Sequence, residues 1–153
     1  MTMTETAPAI TPDTTTDRDV QIVEQARDLF VNHPEAWTWG NVGLDSENNK
    51  LASCQIDQAE KVCAIGALYK YGLPDRWLVA EDEGWARQLI NNLAIFSRQL
   101  YGSPSIVTVN DHLGREQVIN VMTKFLEWRE DHSADEDPPG NDGYNLIKLI
   151  TPF

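Results

Sequence analysis

The chain has 153 residues, a formal net charge of -12, 41% apolar residues, five tryptophans and two cysteines. That length suits one hydrophobic core and is short for two ordinary domains, and the apolar content marks a folding chain rather than a disordered one. No apolar run nears the roughly 20 residues that cross a bilayer, and the negative charge repels nucleic acid and anionic lipid, so neither nucleic-acid nor membrane binding is expected.

Residues 1–16 are mostly Thr, Pro and Ala with little to bury, and read as a disordered tail. They hold no basic stretch followed by an apolar one, so a secretory signal is not expected and a cytoplasmic location is. Thr16-Asp17-Arg18-Asp19 has the pattern of a capping box, and Val20, Val23, Ala26, Leu29 and Phe30 follow at helical spacing, which predicts a helix over 17–32. His33-Pro34 ends it, because a residue before proline is driven out of the α region.

Between Trp37 and Ile56 the pattern changes. Trp37-Thr38-Trp39-Gly40-Asn41-Val42 is strand-like and Ser46-Glu47-Asn48-Asn49 is rich in turn formers, which predicts a small hairpin-like excursion. Asp57-Gln58-Ala59-Glu60 is a second capping pattern, opening a helix over 58–71 that ends at Gly72 and Pro74. This helix contains Cys63-Ala64-Ile65-Gly66-Ala67-Leu68 and has almost no polar face, so it is expected to be buried. Gly66 inside it costs about 1 kcal/mol against alanine, which points to close approach of a neighbouring element.

A short turn of helix is expected around Trp77 and Leu78. Trp85, Leu89, Leu93, Phe96 and Leu100 mark a helix over 84–101, broken by Gly102-Ser103-Pro104. The β-branched run Ser105-Ile106-Val107-Thr108-Val109 leads into Asn110-Asp111-His112-Leu113-Gly114-Arg115, and Val118, Val121, Met122, Phe125 and Leu126 predict a last helix over 115–130. Residues 131–143 read as an acidic linker with Pro138-Pro139-Gly140. The final stretch 144–153 turns apolar at Tyr144, Leu146, Ile147, Leu149, Ile150 and Phe153, and is expected to dock on its own domain or on a partner. Thr16 to Arg129 carries 16 acidic and 11 basic side chains, and the two ends carry the other 8 acids and one lysine. The excess charge therefore belongs largely to the ends.

The chemistry-bearing residues admit two readings. Cys63 and His112, with Asp111 or Asn110 orienting the ring, have the residue types of a thiolate–imidazolium pair. Against that, a helix from 58 puts Cys63 in the second turn, past the strongest part of the helix dipole, and the thiol equally suits a small core filler against Trp37 or Trp39. Asn110, Asp111 and Arg115 either cap and brace a turn, with Gly114 at positive φ and Arg115 paired to Asp111 or to an acid on a neighbouring helix, or line a pocket. Cys54 and Cys63 have eight residues between them, which is no zinc pattern, and are expected to be free thiols, buried or half-buried. Glu81-Asp82-Glu83 lacks calcium-loop spacing, and Glu130-Asp131-His132 belongs with the hydrated acidic stretch. No metal and no cofactor is expected.

The order Trp37 with Gly40, then Cys63 through Leu68, then Asn110, Asp111, Gly114 and Arg115, resembles an uncharacterised family of small bacterial and phage proteins, domain of unknown function 6197. The likeness spans 17–130 and omits both ends; where that family often has Thr after its Gly-Arg pair, this chain has Glu116. The resemblance implies no activity, and it implies a phage or mobile-element origin with a host-modulating role.

Taken together, these features predict a mainly α, single domain of four principal helices over 17–130 with a small β-hairpin-like excursion. The expected function is that of a non-enzymatic interaction or regulatory module with a protein partner, binding through Trp37, Trp39, Gly66, Asn110, Asp111 and Arg115 and through the apolar C-terminal stretch. A cysteine-dependent hydrolase or transferase using Cys63 with His112 and Asp111 is the alternative.

Overall fold

A computed structural model of the chain describes residues 17–74, 84–133, 136, 138 and 139. The expectations for the tail 1–16, for Trp77 and Leu78, for Glu81-Asp82-Glu83 and for the apolar stretch 144–153 lie outside the described residues. Among the described residues the fold is mainly helical: α1 (Arg18–Asn32), α2 (Ala64–Tyr71), α3 (Gly84–Tyr101), α4 (Ile106–His112) and α5 (Arg115–Arg129). Residues between α1 and α2 form a three-stranded antiparallel sheet of β1 (Gly43–Leu44), β2 (Lys50–Leu51) and β3 (Lys61–Val62), with two 3₁₀ turns, Pro34–Ala36 and Ser53–Gln58.

Helix α1 buries Ile22, Val23, Ala26 and Phe30 on one stripe and stops at His33, before Pro34. Its opening differs from expectation. Asp17 occupies the N-cap without a side-chain cap bond, and the Asp19 carboxylate, 4% exposed, turns inward to a different partner. Arg129 at the end of α5 donates to both Asp19 oxygens, Nε to Oδ2 at 2.9 Å and Nη2 to Oδ1 at 3.0 Å. This pair locks the first turn of the domain to the last, and burial makes it sensitive to loss of either member.

In the sheet, β1 is central, with Gly43 opposite Leu51 on one side and Val62 on the other. The β1–β2 loop is held by Asp45, whose Oδ1 accepts from the backbone N–H groups of Glu47 at 2.9 Å and Asn49 at 2.8 Å. These bonds, led by that from Asn49, hold the Asp45 carboxyl below its usual range. The excursion is thus a small sheet with turn chemistry where it was expected.

Two corrections concern helix starts. The helix expected over 58–71 begins at Ala64, because residues 53–58 form a 3₁₀ turn and Lys61-Val62 pairs with β1. The β-branched run Ser105–Val109 is helical as well. Ser105 is the N-cap of α4, its hydroxyl oxygen accepting from the Thr108 N–H at 3.2 Å, and Ile106 and Val109 are buried, so packing overrides β propensity. The domain therefore has five α-helices among the described residues, one more than the four expected.

The core lies where α1 packs on α2 and α5, and α3 and α4 close on α5. Phe30, Leu68, Leu93, Phe96, Met122 and Phe125 are fully buried there. Phe96 meets the edge of Trp128 at 5.9 Å between ring centroids. Among the described residues no helix is long and apolar enough to cross a membrane.

Candidate functional site

Asn110 joins three segments that are distant in the chain. It lies in α4 and is 1% exposed. Its Oδ1 accepts from the Trp37 indole N–H at 2.8 Å and from the Ala64 backbone N–H at 2.9 Å. Its Nδ2 donates to the Thr38 carbonyl and to Asp111 Oδ1, each at 3.1 Å. A side-chain amide has two donor hydrogens and an oxygen with two lone pairs, so the bonding capacity of Asn110 is filled. The residue binds the start of the excursion and the first turn of α2 to α4. Asp111 continues the clamp, its Oδ1 accepting from the Gly40 N–H at 3.0 Å, and Gly40 has a φ of 79° that permits this turn.

Cys63 is the N-cap of α2, not a residue of its second turn, and its Sγ accepts from the Gly66 N–H at 3.5 Å. The dipole of α2 would favour a thiolate there, yet burial pushes the thiol pKa up, and the nearby Asp111 charge acts in the same direction. Burial thus encloses the thiol and disfavours its ionised, nucleophilic form. Cys54, by contrast, is exposed, contrary to the expectation that both thiols are sheltered. Gly66 justifies its cost in helix propensity: a Cβ there would collide with the carbonyl of Val42, and that carbonyl also accepts from the Cys63 N–H at 3.2 Å. The excursion passes so close over α2 that only glycine fits.

Several expected pairings are absent. Among the described residues Arg115 pairs with neither Asp111 nor another acid; its Nη1 donates to the carbonyl of Phe30, at the end of α1, at 2.9 Å. Gly114 does take a positive φ, 134°, at the N-cap of α5. His112 is exposed and shares no hydrogen bond with Cys63 among the described residues, so the dyad is not assembled in this geometry. Trp39 is 61% exposed and is no core neighbour for Cys63.

A shallow hollow of about 160 Å³ sits over the Asn110 clamp, lined by Trp37, Trp39, Asn110, Asp111, His112, Leu113 and Gly114. It collects the expected residues Trp37, Trp39, Asn110 and Asp111, and leaves out Gly66 and Arg115, which face other parts of the fold. Leu113, 47% exposed, joins them; its place between His112 and Gly114, at the C-cap of α4, was the signal for it. A larger open groove of about 440 Å³ runs between α1 and α5. No family model matches the chain, and neither a curated protein nor a solved structure matches it.

Proposed function

We propose that this chain is a small, cytoplasmic, non-enzymatic interaction module, accessory or regulatory in role, that engages a protein partner through the face around Trp39, Asp111 and Leu113. The carrying observation is a division of labour in one place. Asn110 and Asp111 are bonded to the backbone and indole groups that hold the domain together, while Trp39 and Leu113 stand exposed beside them. Large exposed apolar side chains on a rigid support are the usual material of a docking site. The likeness to the bacterial and phage family of unknown function fits an accessory role.

The burial of Cys63 and its distance in bonding from His112 argue against the hydrolase or transferase reading. The apolar stretch with Tyr144, Leu146, Ile147, Leu149, Ile150 and Phe153 is a second docking element in this reading. The test is affinity capture from the native host with wild type, with Trp39→Ala/Leu113→Ala and with residues 144–153 deleted. A partner that is held by wild type and released by the double variant supports the reading. Equal capture by wild type and the double variant defeats it.

A further inference from the structure

We infer that the hollow between Trp39 and Asp111 receives an arginine side chain from a basic partner protein. The inference rests on the docking face proposed above and adds the chemistry of what docks there.

Size sets the first limit. Pockets that enclose a whole small ligand hold about 300–1,000 Å³, and this hollow holds about 160 Å³. It has room for one side chain of a larger molecule that covers the surrounding surface.

The walls set the charge. Asp111 presents a carboxylate fixed in place through one oxygen, since Oδ1 accepts from the Gly40 N–H and from Asn110 Nδ2. Its Oδ2 has no hydrogen bond among the described residues, and a held carboxylate with an open oxygen is a prepared acceptor for a cation. Trp39 offers an indole face that is largely in solvent, and indole is the best aromatic partner for a cation. The cation nearest in sequence, Arg115, is turned away to the Phe30 carbonyl and does not line the hollow. Among the described residues that line it, His112 is the one basic residue.

Arginine fits this arrangement better than lysine. Its planar guanidinium stacks on an indole while an edge N–H reaches a carboxylate, which a compact ammonium does less well. Leu113 offers apolar surface for the aliphatic stem. At longer range the net charge of -12 draws in basic proteins and repels acidic ones.

The test uses the full chain labelled with ¹⁵N and titrated with N-acetylarginine amide, with the neutral N-acetylcitrulline amide as control. Saturable shifts of the Trp39 indole and Gly40 amide signals are expected for the arginine compound, with the citrulline compound about tenfold weaker or worse. Trp39→Ala, at an exposed position, should abolish the Gly40 response while the rest of the spectrum stays as in wild type. Asp111→Asn should weaken it about tenfold if that variant folds. Equal responses to the two amides, or none at Gly40, overturn the cationic occupant. If capture of a partner still depends on Trp39 in that case, the docking face stands and only its proposed ligand fails. Capture that ignores Trp39→Ala overturns the docking face, and the arginine site with it.

Discussion

The Trp37 indole N–H and the Asn110 side-chain oxygen lie 2.8 Å apart although 73 positions separate them in the chain. That oxygen also caps α2 through the Ala64 N–H, so one buried amide sets the position of the excursion, of α2 and of α4. Asn110→Ala leaves the Ala64 N–H and the Trp37 indole without their acceptor, and a buried donor left unmade costs about 1–3 kcal/mol. A loss of about 3 kcal/mol is expected in urea unfolding. Asn110→Asp should be worse, because it places a second carboxylate beside Asp111 and removes the bond to Thr38.

Gly66 and Gly43 form a matched pair for testing close approach. An added methyl at Gly66 meets the backbone carbonyl of Val42, which cannot yield without moving the strand region. At Gly43 the nearest atom is Cδ1 of Ile56, 2.9 Å away, the end of a flexible side chain. Gly66→Ala is therefore expected to lose about 3 kcal/mol or more, at the upper end for overpacking, and Gly43→Ala clearly less. Thermal midpoints of the two variants check the order.

Asp111 and Arg115 are four residues apart, a spacing that invites a salt bridge, yet they serve different partners, Gly40 and Phe30. Groups that share no interaction have nearly additive effects. Asp111→Ala and Arg115→Ala should combine to within about 0.5 kcal/mol in a double-mutant cycle. Asp19 and Arg129 should behave oppositely: removing either strands a buried charge at about 3–5 kcal/mol, and removing both should cost far less than the sum.

Burial and the Asp111 charge raise the Cys63 thiol pKa in the folded state above the ordinary value of about 8.5 that the unfolded chain has. Between those two values the unfolded state releases the proton and the folded state keeps it. The contribution is complete below the ordinary value and is lost as pH rises through the folded one. The urea midpoint of wild type should therefore fall more steeply than that of Cys63→Ala from about pH 8 to pH 10.

The long helices were legible because their apolar residues recur on one stripe: Val23, Ala26 and Phe30 in α1, Leu89, Leu93 and Phe96 in α3, Val118, Met122 and Phe125 in α5. The starts of α2 and α4 were obscured by local signals that tertiary contacts overrule. Asp57 and Glu60 match a capping pattern, but Lys61-Val62 is claimed by β1, so the cap passes to Cys63. Ile106, Val107 and Val109 favour strands, but the Ser105 cap and burial between α2, α3 and α5 make a helix. Asn110, Asp111 and Trp37 stood out in the sequence as residue types. Their shared bonds did not, because they span more than 70 positions, and the direction of Arg115 toward Phe30 has no local signature.

The bonds of Asn110 and Asp111 and the Cys63 N-cap tie the excursion, α2 and α4 together, and the function proposed above gives these motifs no nucleophilic role. The two cysteines give the most direct test within one molecule, since Cys54 is exposed and Cys63 is buried. Iodoacetamide labelling of the native full chain near neutral pH, read by peptide mass spectrometry, compares their rates. Cys54 is expected to react at the pace of an ordinary free thiol, and Cys63 to stay unlabelled until denaturant is added. Labelling of native Cys63 faster than Cys54 would contradict the account and return the motif to catalysis.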